Sequence, residues 1–289
     1  MYALFTDTDT DITLDVAKHY GYNLISMPYT IDDKDVYPYK DFEVFESHQF
    51  YDQLRKGVMP KTSGLSPVQY EEYFEPFFAK GQDILYVHFS AAMSGTFSAM
   101  NLAVESLKKK YPDRKLYTID TKGITICSYA IVREVGDMYL AGKSIFEILQ
   151  WAKTEVDKYA VYFFAEDLKF FARSGRVKSF KAFMGNMLGI RPILTMGSDG
   201  MMASVDTARG KKATLNKIMQ YVHTLASDID KHRVIIGHAD CLPVAEELAA
   251  ELKREFGDNL NIEFVQVNPT AGSHCGPDTV GVCFHAIHR

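Results

Sequence analysis

The sequence predicts an α/β protein built as two α/β domains, the first with a mostly parallel sheet and the second with a mixed one. Short apolar runs alternate with longer amphipathic ones, a strand–helix–strand step is legible in the first half, and a hairpin turn interrupts the second. The 289 residues suffice for two domains of ordinary size, and 47% hydrophobic content gives each a core.

"YALFT" (2–6) reads as the first buried strand, followed by "TDTDTD" and the helical pattern "ITLDVAKHYG". Asp7, Asp9 and Asp11 raise the question of calcium. An EF-hand loop needs Gly at its sixth position and Glu at its twelfth, and here Ile12 and Lys18 stand there. The expected role is capping: Asp and Thr side chains accept from the free N–H groups of a first helical turn, and carboxylates suit the positive end of its dipole. No metal site is expected.

"KTSGLSP" (61–67) comes next, ahead of the helical run "VQYEEYFEPFFAKG". Ser66 is the natural N-cap with Pro67 at the first helical position, which leaves Thr62 and Ser63 without a structural task. "DILYVHF" (83–89) and "KLYTI" (115–119) read as strands on either side of a helix over 95–110, where Phe97, Met100, Val104 and Leu107 recur at helical spacing. The loop entering that helix holds Ser90, Ser94, Gly95 and Thr96. It lies beyond the carboxyl end of a strand, where open α/β sheets gather ligands, and it carries more hydroxyls than one cap requires. Gly95 lets a ligand approach the backbone.

"GDMYLAGKS" imitates a phosphate-binding loop, but five residues separate Gly136 from Gly142 where four are required. Gly142 reads as a helix C-cap. A second series follows: "YAVYFFA" (159–165), "RPILTM", the turn "GSDG" and "MMASVDT", then "HRVIIGHA" and "NIEFVQV", each of these last two preceded by a helical stretch. Strand counting places the domains at 1–157 and 158–289. Within the second, Arg173 and Arg176 flank a glycine turn, and Phe180, Phe183, Met184, Met187 and Leu188 then form an apolar face that is either core or the wall of a pocket for a shape-variable ligand. Beyond the last clear strand, the glycine and proline loop "PTAGSHCGPDTVG" carries His274 and Cys275. Their adjacency argues against a catalytic pair, and His274 is a candidate donor to an anion.

A net charge of −5 gives no overall pull toward nucleic acid, and no run reaches the roughly 18 apolar residues of a spanning helix. The N-terminus lacks a basic stretch followed by an apolar one, so a cytoplasmic protein is expected. Cys127, Cys241, Cys275 and Cys283 show no CxxC spacing and read as reduced thiols. GxSxG, HExxH and GxGxxG are absent, and no cofactor is expected.

In order, "TDTDTDI", "KTSGLSP", "MSGTF", "LKFFARSGRV", "RPILTM", "GSDG" and "GSHCGP" resemble the landmarks of the DegV family of bacterial fatty acid binding proteins, over nearly the whole chain. The resemblance implies a long-chain fatty acid in a tunnel between the domains, and a carrier in place of an enzyme. It also implies presentation of the acyl carboxylate to a separate ATP-binding fatty acid kinase subunit that makes an acyl phosphate for phospholipid synthesis, with transient membrane contact allowed for. Carried over by motif, Thr62 and Ser94 hold the carboxylate, with Ser63, Gly95, Thr96 and His274 around them. Arg176, Arg209 and His274 are assigned to phosphoryl transfer or partner contact. "TSGLSP" departs from the usual "TSQPSP", Cys275 stands where Thr is common, and "TARGKKA" meets the basic motif only approximately. The rival reading is a small-molecule enzyme, a Ser or Cys hydrolase or a kinase, built from the same loops.

Overall fold

The computed structural model describes residues 2–178 and 189–289. The apolar face predicted at Phe180, Phe183, Met184, Met187 and Leu188 lies outside the described residues. The strands of the first half are β1 (Ala3–Asp7), β2 (Tyr22–Ile25), β3 (Tyr29–Ile31), β4 (Lys34–Val36), β5 (Lys61–Thr62), β6 (Ile84–His88) and β7 (Leu116–Asp120). Those of the second half are β8 (Tyr159–Phe164), β9 (Val177–Lys178), β10 (Ile190–Met196), β11 (Met202–Arg209), β12 (Val234–His238), β13 (Ile262–Gln266) and β14 (Val280–His285).

A four-stranded sheet runs β2-β1-β6-β7, parallel throughout. A seven-stranded sheet runs β13-β12-β14-β8-β10-β11-β9 and mixes both directions. A small antiparallel sheet, β4-β3-β5, lies in the connection between β2 and β6. All five residues of β6 are buried, as a strand covered on both faces requires.

The helix Thr96–Lys110 buries Phe97, Met100, Val104 and Leu107 as its periodicity predicts. Ser66 caps the helix Pro67–Ala79 in a reciprocal pair with Gln69. Gly142, at φ +77°, follows the end of the helix Ile126–Leu140 in the left-handed conformation. The "GSDG" hairpin joins β10 and β11.

Two expectations need correction. The opening aspartates do not cap the first α-helix: Thr13 caps Leu14–Tyr20, while Asp7 caps a short 3-10 turn, Thr8–Thr10, and Thr6 through Asp11 are all buried. The C-terminal "loop" is a helix, Pro269–Cys275, followed by β14, which sits inside the second sheet between β12 and β8. Its glycine reads as a turn signal from sequence. In the fold, a Cβ on Gly281 would stand 2.5 Å from the Cβ of Phe163, so the glycine is there for close packing between strands.

Polar bonds cross between the halves. Asp11 Oδ1 accepts the backbone and side-chain N–H of Asn268 at 2.9 and 2.7 Å, Thr270 donates to the Met27 carbonyl at 2.8 Å, and Ser90 donates to the Gly200 carbonyl at 2.7 Å. Asn268 also caps the helix Pro269–Cys275 through Ala271 N–H. Asn268→Ala therefore removes a cap and one of the two hydrogen bonds to a buried carboxyl. We expect a loss of about 2–4 kcal/mol in unfolding free energy, read by denaturant titration with an unchanged m-value.

Candidate functional site

A cavity of about 290 Å³ draws its walls from both halves. Most of the lining is apolar, with Phe89 and Met93 from the first half and Phe163, Phe171, Met196 and Met202 from the second. Its polar lining includes Thr62, Ser63, Ser94, Gly95, Thr96, Arg176 and His274, so the structure brings together every site residue predicted from sequence except Arg209. Arg209 is exposed at the end of β11, away from the cavity.

Thr62 ends β5, which pairs with β3 through Tyr29. Arg173 donates to the Met59 carbonyl at 3.0 Å and to that of Pro60, fixing the backbone that leads into β5. Thr62 Oγ1 then lies 2.7 Å from His274 Nε2, in the last turn of the helix Pro269–Cys275. Burial, with Arg176 and Arg173 adding positive charge nearby, pushes the imidazole down to about 4. His274 is thus neutral at neutral pH, and the pair shares one hydrogen.

Ser94 Oγ accepts the Thr96 N–H at 3.2 Å, which leaves its own hydrogen free. Gly95, the N-cap position of Thr96–Lys110, makes no side-chain bond to that helix. Thr96 is different: its buried hydroxyl accepts the Leu65 N–H at 3.0 Å and lies 3.0 Å from the Tyr70 hydroxyl. It latches one hydroxyl loop to the other. Ser63 is exposed at the rim, and Arg176 spends donors on the carbonyls of Met93 and Ser174 at 3.4 and 2.5 Å. The Cys275 thiol points to the Gly276 carbonyl, and burial pushes it up to about 12.

Sequence reasoning missed Asp9 and Thr125 as cavity residues, and no local signal marks them. The carboxyls of the opening loop all lie above the usual range: burial pushes Asp7 and Asp11 up to about 7, and burial with the Asp7 and Asp11 charges pushes Asp9 well above the carboxylate range. Among the described residues, the one group able to hold a metal is His48, Asp52 and Asp240, away from the cavity. Arg55 already bridges Asp52 and Asp240 at 3.0 and 2.6 Å. Among the described residues no helix is long and apolar enough to cross a membrane.

A parallel sheet and a mixed sheet, a largely apolar cavity lined from both halves and a hydroxyl–imidazole pair on its wall define an α/β protein with a cavity of small-molecule size. The chain belongs to the DegV family, whose profile, described as "Uncharacterised protein, DegV family", matches residues 1–286. A DegV domain-containing protein of Clostridium perfringens is 30% identical over 284 residues, covering 98% of this chain and 97% of the relative. Two solved structures share the fold. A stearic acid-binding protein from Eubacterium ventriosum superposes with a TM-score of 0.87 at 18% identity, covering 99% of this chain and 98% of the other. DegV of Bacillus subtilis, described as a fatty acid binding protein, gives 0.83 at 20% identity, covering 99% of each.

The acidic loop has a pH signature. In the unfolded chain these carboxyls ionise from about 4 upward, whereas folded Asp9 stays protonated, so its contribution to stability is greatest at low pH and falls as pH rises. Asp9→Asn removes that titration. We expect the variant to gain stability relative to the parent on going from pH 5 to pH 8, measured by urea unfolding at both values.

Proposed function

We propose that the chain binds a long-chain fatty acid in this cavity as a non-catalytic carrier, with the carboxylate held by Thr62 and Ser94 and with His274 behind Thr62. The observation that carries this reading is the 2.7 Å Thr62–His274 pair set in a wall that is otherwise largely hydrocarbon. A neutral imidazole can donate to Thr62 Oγ1 and free the Thr62 hydrogen for an anion, while Ser94 offers a second O–H and the start of the helix Thr96–Lys110 its N–H groups. Burying an acyl tail contributes about 0.8 kcal/mol per methylene, roughly 11–14 kcal/mol for about 14–18 carbons before the costs of association. The fatty acids named for the solved structures above support the same ligand class.

We further propose presentation of the carboxylate to a separate ATP-binding kinase subunit, with Arg176 and His274 at the cavity and Arg209 on the exposed partner face. The domain division at 157/158, just ahead of β8, and a cytoplasmic location belong to the same reading. The hydrolase alternative draws less support. Cys275 is held as a thiol, His274 faces Thr62 and not Cys275, and Ser94 is bonded to backbone.

Thr62→Ala or Ser94→Ala each removes a donor from a buried anion. We expect either to weaken fatty acid binding by about 1–3 kcal/mol in calorimetric titration with the thermal midpoint nearly unchanged. Native mass spectrometry of the purified parent should recover an acyl chain. No acyl chain and no saturable uptake of added fatty acid would end the reading. His274→Ala should reduce acyl phosphate formation with a kinase subunit more than it reduces lipid retention, and equal losses would remove the transfer role.

A further inference from the structure

Of the three aspartates in the opening loop, Asp9 alone lines the cavity. Asp7 accepts from the Asp9 N–H, the Tyr86 hydroxyl and the Phe89 N–H, and Asp11 holds Asn268 through Oδ1, while its buried Oδ2 makes no bond but lies off the cavity lining. Asp9 is only 6% exposed, and its Oδ1 is buried with no hydrogen-bond partner among the described residues. A buried, unpaired carboxyl oxygen is costly, and one on a cavity wall is placed to be satisfied by an occupant.

Thr125 stands beside it on the same wall. Its N–H donates to the Asp9 carbonyl at 2.8 Å, its φ is +52°, and its side chain makes no bond to the helix Ile126–Leu140 that it precedes. A β-branched residue in the left-handed region is strained, and such strain is retained where something else fixes the position.

We propose that Asp9, with Thr125 beside it, is a second polar anchor in the cavity wall, and that it selects acyl ligands carrying an oxygen function along the tail, a hydroxyl or a ketone. The inference rests on the fatty acid reading above. A carboxylate head brought to this point would meet the acidic loop, so the head belongs at Thr62 and the tail oxygen at Asp9. Burial and the adjacent Asp7 and Asp11 hold Asp9 as the acid, which donates one hydrogen bond. A ketone, which only accepts, requires that acid form; a hydroxyl is served by either protonation state. A plain tail leaves the carboxyl unpaired.

The test is competitive binding of stearic acid against a positional series of hydroxystearic and oxostearic acids, with the parent, Asp9→Leu, Asp9→Asn and Thr62→Ala. The parent should bind at least one hydroxy isomer and one oxo isomer about tenfold more tightly than stearic acid, and Asp9→Leu should bring that ratio to about one without weakening stearic acid. Asp9→Asn, which keeps a donor, should retain part of the preference. Thr62→Ala should weaken both classes by the same factor. A parent that prefers no oxygenated isomer overturns the proposal, and this result needs no variant to fold. So does an unchanged ratio in Asp9→Leu. If neither class binds the parent at all, the fatty acid reading fails and this inference falls with it.

Discussion

The hydrogen bond between Thr62 and His274 joins residues 212 positions apart, and much of the fold serves to hold its two ends. β5 has only two residues, too few to place a side chain by themselves, so pairing with β3 and the Arg173 bonds to Met59 and Pro60 fix Thr62. The other end rests on a seven-residue helix that would be marginal alone. Its start is set by Asn268, and Asn268 is gripped by Asp11. The opening acidic loop therefore acts on the site at a distance: Asp11 holds Asn268, Asn268 holds the helix, and the helix holds His274.

This chain of contacts marks where sequence reading succeeds and where it stops. The βαβ step, the hairpin and the Ser66 cap are local patterns, decided by period and by residues a few positions apart, and they are legible. Hydroxyl loops at strand ends are legible too, because the sheet's polarity puts them at the ligand side. The role of "TDTDTD" is not. Local chemistry makes Asp a cap, but the partner of Asp11 lies 257 residues away, and nothing near either residue announces the pairing. β14 is lost for a similar reason, since Gly281 is required by Phe163 on a neighbouring strand, a contact made only in the assembled sheet. Thr96 shows the opposite error: it lines the cavity, yet its hydroxyl is committed to Leu65 and Tyr70, and motif position alone does not separate a free hydroxyl from a spent one.

Charge on the cavity wall is arranged so that little of it is exposed to the hydrocarbon. Arg176 and Arg173 direct donors at backbone carbonyls, His274 is held neutral, and Asp9 is held protonated. Each choice avoids the cost of a bare ion in a poorly hydrated space. The wall around Thr62 thus presents hydroxyls and a neutral imidazole, with the positive charge of Arg176 and Arg173 nearby.

That asymmetry sets the direction of coupling at the site. An anion beside Thr62 favours the arrangement in which His274 Nε2–H donates to Thr62 Oγ1 and the Thr62 hydrogen points at the ligand. It also opposes the field of Arg176 and Arg173, which with burial hold the imidazole down to about 4. Binding of an anion must therefore raise the His274 pKa, and by linkage a fall in pH toward that value must strengthen binding of the same anion so long as the anion stays ionised. A neutral amide of the same tail lacks this coupling, because it brings no charge to offset the two arginines. This response follows from the burial of the imidazole beside the Thr62 hydroxyl, with the positive charge of Arg176 and Arg173 nearby.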